Sequence, residues 1–522
     1  MRSPFELSPL GVAQNVRALA GRPLRHRRYR ALGRTYHAPP DAWWAGDDRW
    51  FPGDTPPRHG NRLTPLVDGQ DAMRAMYEAI ESARESILLA SWFLTPRMRM
   101  IRPDDDVYEP RDGKGGPDAF LALIARKAGE IDARILLWPG SLVGKFARRR
   151  VEGTRQALLQ AAPKLQVRLD THERFSHCQH QKALVVDNRV AFVGGLDVTA
   201  FDADRWDVRA HTFREGRNWH DAHWRLEGPC VADVATNMAQ RWNASVETGD
   251  KNKGKGFADP IRLPPPPPPL DDGIDAQVLR TIPKGVYSFA SRGIFGIAYA
   301  YRHAIVRAER FIYLENQYLW SPEITDALCD AIRRGHDTGL RVVLVLPAHP
   351  NVGKGDTDRH VEQLVQADAG RGAFHAYTLY TSRHEGRGDA GGRYGQYKYR
   401  PVYVHAKVGI VDDTWATVGS ANLNGRGMVT DSELNISAAD GASARALRLR
   451  LWAEHLHCPE DELRDADPVA VLEGRWLETA RAQRDIVARR SGILTAALYP
   501  YPLGRVDADF GPGEIESALL DR

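Results

Sequence analysis

The sequence predicts an α/β protein made of two homologous sandwich halves, each a mixed β-sheet flanked by helices, packed on one another as a pseudo-dimer. Three observations predict it. Amphipathic stretches alternate with short apolar runs, an order that gives sheets covered by helices on both faces. A proline-rich break divides the chain near its middle. The segments on either side of that break resemble each other with anchors 225 residues apart (405 − 180), as a gene duplication would leave them.

Taken in order, residues 1–60 match neither half and read as an N-terminal extension carrying the basic run RPLRHRRYR (22–30). The first half spans 61–245. Met73, Met76, Tyr77, Ile80 and Ala83 recur at three-and-four spacing, which predicts a helix, and it runs into the apolar strand of ILLASWFL (87–94). After an added loop, MRMIRPDDDVYEPRDGKGG, a helix leads to a second strand at ILLWP (135–139) and another helix follows; KFARRR (145–150) is a second local basic run. HQKALVVD (180–187) is the next strand, closed by a tight hairpin at Asp187-Asn188.

Residues 246–283 read as a linker: a Lys/Gly run precedes six prolines, Pro264 to Pro269, which favour an extended spacer. The second half, 284–460, repeats the order. Ala304, Ile305, Ala308, Ile312, Leu314, Tyr318 and Leu319 stand where the first half has Ala79, Ile80, Ala83, Ile87, Leu89, Phe93 and Leu94. VLVLP (343–347) answers ILLWP, and HAKVGIVD (405–412) ends at an Asp412-Asp413 hairpin. Residues 461–522 form a C-terminal helical tail.

Composition narrows the function. Hydrophobic residues make up 43% and charged residues 26%, as in folded soluble proteins. A net charge of +4 over 522 residues gives no basic signature for nucleic acid. Cys178, Cys230, Cys329 and Cys458 have no paired spacing, which fits a reducing compartment. No secretory apolar core opens the chain, and the longest apolar run is too short to span a bilayer. The expectation is a cytoplasmic protein, with any membrane contact peripheral.

The chemistry lies in a repeated pattern, H-x-K-x4-D, followed by Gly194-Gly195 in one half and Gly419-Ser420 in the other. With 18 His and 12 Lys in the chain, random sequence would hold about 0.03 such matches, so two at one repeat offset are informative. His180, Lys182 and Asp187, with His405, Lys407 and Asp412, are therefore the candidate catalytic residues. The crowd of His172, Glu173, His177, Cys178 and His180 fits no common zinc spacing, so neither metal nor cofactor is expected. Trp92, Phe93, Trp206, Trp219 and Trp320 are candidates for a cleft lining or for the core.

This pair of motifs resembles the phospholipase D superfamily. AFVGGLD (191–197) with RWD (205–207), NWHDAHWRLEGPCVADVATNMAQRWN (218–243), IYLENQY (312–318) and VGSANLNGRGMVTDSE (418–433) resemble its further signatures. The resemblance implies hydrolysis of glycerophospholipids to phosphatidic acid and free headgroup through a phosphohistidine, with transphosphatidylation possible. It implies His180 as nucleophile, His405 as general acid, and the two lysines as the charge on the phosphate. It also implies that Ser420, Asn422 and Glu433 bind phosphate oxygen or orient a histidine, with Gly195, Asp197 and Asp207 as first-half counterparts. The alternatives are a cardiolipin synthase-like phosphatidyltransferase and, less favoured, a nuclease. The partner is a phospholipid at a membrane surface, and the protein a monomer with an internal pseudo-dimer. The loop at 383–400 is the candidate determinant of headgroup preference.

Overall fold

The computed structural model describes residues 54–103, 107–140, 145–172, 178–201, 203–247, 259–262, 265–386 and 396–504. The basic run at 22–30, the Lys/Gly run before the prolines and the middle of the 383–400 loop lie outside them.

The first half contributes β1 (Arg58–Val67), β2 (Ser86–Ser91), β3 (Asp132–Leu137), β4 (Gln166–Leu169), β5 (Ala183–Val186), β6 (Val190–Gly194), β7 (Trp219–His220) and β8 (Ala222–Glu227). Its sheet has the order β1-β8-β6-β5-β2-β3-β4, with only the β2–β3 and β3–β4 pairs parallel. Parallel neighbours need a crossover. Here these are α2 (Phe120–Lys127) and α3 (Lys145–Ala161), while α1 (Asp68–Ser82) leads from β1 into β2. Helix α4 (Val231–Glu247) closes the half.

The second half contributes β9 (Ile274–Ile282), β10 (Ile294–Phe295), β11 (Phe311–Glu315), β12 (Arg341–Val345), β13 (Phe374–Glu385), β14 (Gln396–Val404), β15 (Val408–Val411), β16 (Trp415–Gly419), β17 (Glu433–Ala438) and β18 (Leu498–Pro500). Its order is β9-β17-β16-β15-β11-β12-β13, again with only two parallel pairs, β11–β12 and β12–β13. The crossovers are α6 (Pro322–Thr338) and α7 (Lys354–Asp368), after α5 (Gly296–Arg307), and α8 (Gly441–His455) stands where α4 does in the first half. Seven strands thus repeat in order and sense. The two sheets meet edge to edge where β1 pairs antiparallel with β9.

Burial explains why the motif strands look wholly apolar. Ala183 and Val185 of β5 share a core with Val408 and Ile410 of β15, Val234 and Met238 of α4, and Leu447 and Trp452 of α8. Leu184 and Val186 face the other way, onto Met76 and Ile80 of α1 and Leu123 and Ile124 of α2. A strand covered on both faces loses the polar alternation of an exposed one. At the hairpins, Asp187, Asn188, Asp412 and Asp413 all take left-handed φ of 51° to 55°, as a two-residue type I′ turn requires.

The order read from sequence misses several strands. Residues 274–282, inside the expected linker 246–283, form β9, whose D-A-Q-V-L-R-T alternation was obscured by the prolines beside it. β1 begins at Arg58, within the expected N-terminal extension 1–60. β4 and β13 precede the motif strands, and β8 and β17 follow them. The tail past 461 is helical through Arg489 and then adds β18 to the edge of β13. All four cysteines are free, and among the described residues no helix is long and apolar enough to cross a membrane.

Candidate active site

His180 and Lys182 do not lie on β5; they lead into it, since the strand begins at Ala183. Their segment is held instead by the other half. Gln179 bridges Ser432 in parallel, the His180 N–H donates to the Ser432 carbonyl (3.0 Å), and Ser432 N–H donates to Cys178 (3.0 Å). The second motif does the same in reverse. Tyr403 and Val404 pair in parallel with Trp219 and His220 of β7, and the His405 N–H donates to the His220 carbonyl (2.8 Å). One contact is therefore made twice, with the halves exchanged.

The side chains follow the same exchange. His180 directs Nδ1 at Glu433, 3.0 and 3.1 Å from its two oxygens, and at the Ser420 carbonyl (3.1 Å). His405 directs Nδ1 at Asp221 Oδ2 (2.7 Å). Each ring is thus oriented by a carboxylate of the opposite half, which leaves its Nε2 for chemistry. Sheet register makes the two acids equivalent. Gly194 opposes His223 and Gly419 opposes Asn435, so Asp221 and Glu433 each stand two residues before an equivalent position.

This corrects the reading of Asp207. Its Oδ2 accepts from the Trp219 N–H (2.8 Å) and Asn218 Nδ2 (3.0 Å), fixing the segment that carries Asp221 rather than either motif histidine. A fixed offset along the chain failed because the first half has a longer loop between β6 and its acid. Gly195 and Ser420 are the equivalent pair expected. Ser420 Oγ donates to Glu433 Oε2 (2.5 Å), whereas a Cβ at Gly195 would lie 2.1 Å from Asp221 Oδ1. Only glycine leaves that carboxylate its room.

Asp187 and Asp412 are also placed away from the reacting groups, at the far ends of the motif strands. Asp187 accepts the backbone N–H groups of Arg84, Glu85 and Ser86 at 2.8 to 2.9 Å, and Asp412 those of Glu309, Arg310 and Phe311 at 2.7 to 2.8 Å. Each acid ties its hairpin to the start of the neighbouring strand. Asp187→Ala and Asp412→Ala should each cost about 2–3 kcal/mol of stability for the lost bonds. Turnover per folded molecule should stay within about threefold, because nothing that touches substrate changes. Urea denaturation beside kcat checks this; a 100-fold kcat loss at unchanged stability would return these acids to the chemistry.

The remaining candidates converge. Lys182 Nζ donates to the His180 carbonyl (2.8 Å) and pairs with Asp197 (3.1 Å), whose Oδ1 accepts from Ser91 Oγ (2.6 Å) and Trp92 N–H (2.9 Å). Lys407 Nζ donates to the His405 carbonyl and to Gln317 Oε1 (3.3 Å). Asn422 Oδ1 is buried and accepts no hydrogen bond among the described residues.

Several contributors were not read from sequence. Arg205 lies 3.6 Å over the Trp219 ring, which packs on His405 (4.8 Å) and stacks on Tyr403 (4.7 Å). Arg426 is held by Asp431 (2.7 Å) and Cys178 Sγ (3.3 Å). Of the tryptophans singled out, Trp92 meets His180 edge-on at 5.7 Å, while Trp206 lies beneath Arg102 and Trp320 donates to Thr357 (2.7 Å). In the rejected zinc cluster, His172 pairs with Asp170 (3.2 Å), and residues 173–177 lie outside the described ones.

Burial, then Lys182, Lys407 and Arg426, hold His180 well below the usual imidazole pKa. Burial, then Lys407, Arg205, Lys182 and His180, do the same for His405. Both ammonium groups thus act on both rings, which places the two motifs in one electrostatic environment. Burial pushes the Glu433 carboxyl well up, helped by Asp431, and pushes Asp221 up against the pull of Lys407. Lysines converging from both halves beside two imidazoles held toward their neutral form suit an anionic group.

Residues 210–325 match the protein family described as phospholipase D, and residues 301–453 the family described as cardiolipin synthase, PLD-like domain. The chain is 24% identical over 539 residues to phospholipase D1 of Schizosaccharomyces pombe, covering 82% of this chain and 37% of that protein. It is 26% identical over 478 residues to phospholipase D A of Dictyostelium discoideum, covering 75% and 35%. The chain spans about a third of the length of these two curated relatives. Among solved structures it is similar to the phosphatidylserine synthase of Haemophilus influenzae Rd KW20, with a TM-score of 0.46, 13% identity, and coverage of 84% of this chain and 97% of that one.

Proposed function

Since the chain belongs to the phospholipase D superfamily, we propose that it cleaves the headgroup phosphodiester of glycerophospholipids at a membrane surface, giving phosphatidic acid and the free headgroup. The observation that carries this reading is the exchange of orienting acids: each motif histidine is aimed by a carboxylate of the other half, beside cations from both.

The reaction runs in two balanced steps. His180 keeps its proton on Nδ1, between Glu433 and the Ser420 carbonyl, so its Nε2 lone pair attacks phosphorus. As the P–N bond forms, the P–O bond to the headgroup breaks, and the proton on His405 Nε2 passes to the departing oxygen. Water, or an alcohol in transfer, then gives its proton to His405 as its oxygen attacks phosphorus, and the P–N bond breaks. Lys182 and Lys407 stabilise the charge on the non-bridging oxygens, where the Asn422 Nδ2 donor is a further candidate contact. Asp221 steadies the imidazolium form of His405. One pseudo-symmetric monomer holds both histidines, so no second chain is needed.

Two results test the reading. Incubated with phosphatidylcholine vesicles and ethanol, the protein should release choline and form phosphatidylethanol. If no common glycerophospholipid yields phosphatidate or its ethyl ester while a single-stranded oligonucleotide is cut, the lipid reading fails. The match of residues 301–453 to the cardiolipin synthase family supports a second reading, a phosphatidyltransferase. It gains if phosphatidylglycerol as acceptor gives cardiolipin faster than water gives phosphatidate.

The second test is proton uptake. His405 must be protonated when substrate is bound, yet the empty site disfavours that charge. A bound anion offsets the lysines and raises the ring's pKa, so binding of the dianion tungstate should take up as much as about one proton per site near pH 7. Titration with tungstate in buffers of different ionisation enthalpy measures this; binding without proton uptake from pH 6 to 8 contradicts it.

A further inference from the structure

His220 and Asp221 are consecutive. Asp221 turns toward His405, and His220 turns into a second cluster that the reaction does not use. There, Asp68 at the β1–α1 junction, His211 in the loop before β7, His220 on β7 and Glu454 near the end of α8 converge with exposures of 0–1%. His220 Nδ1 is 3.0 Å from Asp68 Oδ1 and 2.8 Å from Glu454 Oε1. His211 Nε2 is 3.2 Å from Glu454 Oε1 and 3.6 Å from Asp68 Oδ2.

These separations suit a metal ion. A tetrahedral zinc with bonds of about 2.0–2.1 Å holds its ligand atoms roughly 3.3 Å apart. The outer nitrogens fit as well: His220 Nε2 meets Glu315 (2.7 Å) and His211 Nδ1 meets Asp207 (3.4 Å). A carboxylate behind each imidazole is the usual support for a metal-binding histidine. A separate observation points to a missing cation. Asp68 Oδ2, on the side facing His211, and Glu454 Oε2 are buried oxygens that accept no hydrogen bond among the described residues. An anionic oxygen left so in the interior costs free energy that a cation would recover.

We propose that Asp68, His211, His220 and Glu454 bind one divalent transition-metal ion, zinc first among them, as a structural site. Its charge balances the two carboxylates with both imidazoles neutral. The ion would act on the reaction only by position. Asp68 N–H donates to the Asp221 carbonyl (2.8 Å), Asp221 N–H donates to Asp68 Oδ1 (3.2 Å), and the His220 carbonyl accepts from His405. Fixing the cluster fixes the strand that aims His405.

The alternative occupant is a pair of protons, which would make both rings imidazolium and supply the same charge. Elemental analysis of the full chain, purified without a metal column and dialysed against a weak chelator, separates the two. Expected is close to one zinc per chain, a lower Tm after stripping with a strong chelator, recovery on adding zinc, and visible absorption of a tetrahedral site on adding cobalt. Glu454→Gln should cut the retained metal at least tenfold. Under a tenth of an equivalent in the wild-type chain, with no Tm response to added zinc or cobalt, would overturn the metal site and leave the lipid chemistry untouched.

Discussion

Replacing His180 by Asn is expected to lower kcat by roughly 10⁴–10⁶-fold, the range for loss of a nucleophile that works as part of a unit. Asn keeps much of the ring's volume and polarity but cannot form the phosphoenzyme. His405→Asn should cost about 10³–10⁵-fold, because the leaving oxygen then departs without its proton. The double variant should be scarcely worse than His180→Asn, since each group acts only with the other. Choline release measures all three at saturating lipid, and circular dichroism checks folding. If either single variant keeps a tenth of wild-type turnover, the two-histidine mechanism is wrong.

The next largest effects belong to the orienting acids. Asp221→Asn and Glu433→Gln should each lower kcat by about 10²–10⁴-fold with little change in KM, because an amide can hold the wrong tautomer and carries no charge for the imidazolium. The pH profile separates this role from simple folding. A carboxylate beside His405 favours its protonated form, so removing that charge lowers the ring's pKa. The alkaline limb of kcat in Asp221→Asn should therefore move to lower pH. Asp207→Asn should weaken the 218–221 segment and lower Tm without moving that limb. A shift caused by Asp207→Asn and absent from Asp221→Asn would reverse the assignment.

These residues also mark how far the sequence can be read. The duplication was legible because the motif strands are buried on both faces and keep their apolar residues at one spacing. His180, Lys182, His405 and Lys407 were legible because a rare pattern recurred at that spacing. Asp221 was not, because it lies 41 residues after His180 while Glu433 lies 28 after His405 (221 − 180 and 433 − 405). The added residues form a loop, and only the pairing of β6 with β8 and of β16 with β17 restores the equivalence. Aligning DAHWRL (221–226) with ELNISA (433–438) would have found it. Asp187 and Asp412 misled for the opposite reason. They recur faithfully, but what the repeat preserves there is a hairpin and its three backbone donors. Arg205 and Arg426 gave no periodic signal, since Arg205 lies in an irregular segment and Arg426 opens a single π-helical turn, Arg426–Thr430.

The most direct test of the composite site is to trap its intermediate. A short-chain phospholipid labelled in its phosphate, mixed with His405→Asn and quenched under alkaline conditions that preserve phosphohistidine, should leave label on His180, identified by peptide mapping. His180→Asn treated in the same way should retain none. Label on His405 in the His180 variant, with none on His180 in the other, would contradict the assignment of attack to the first half.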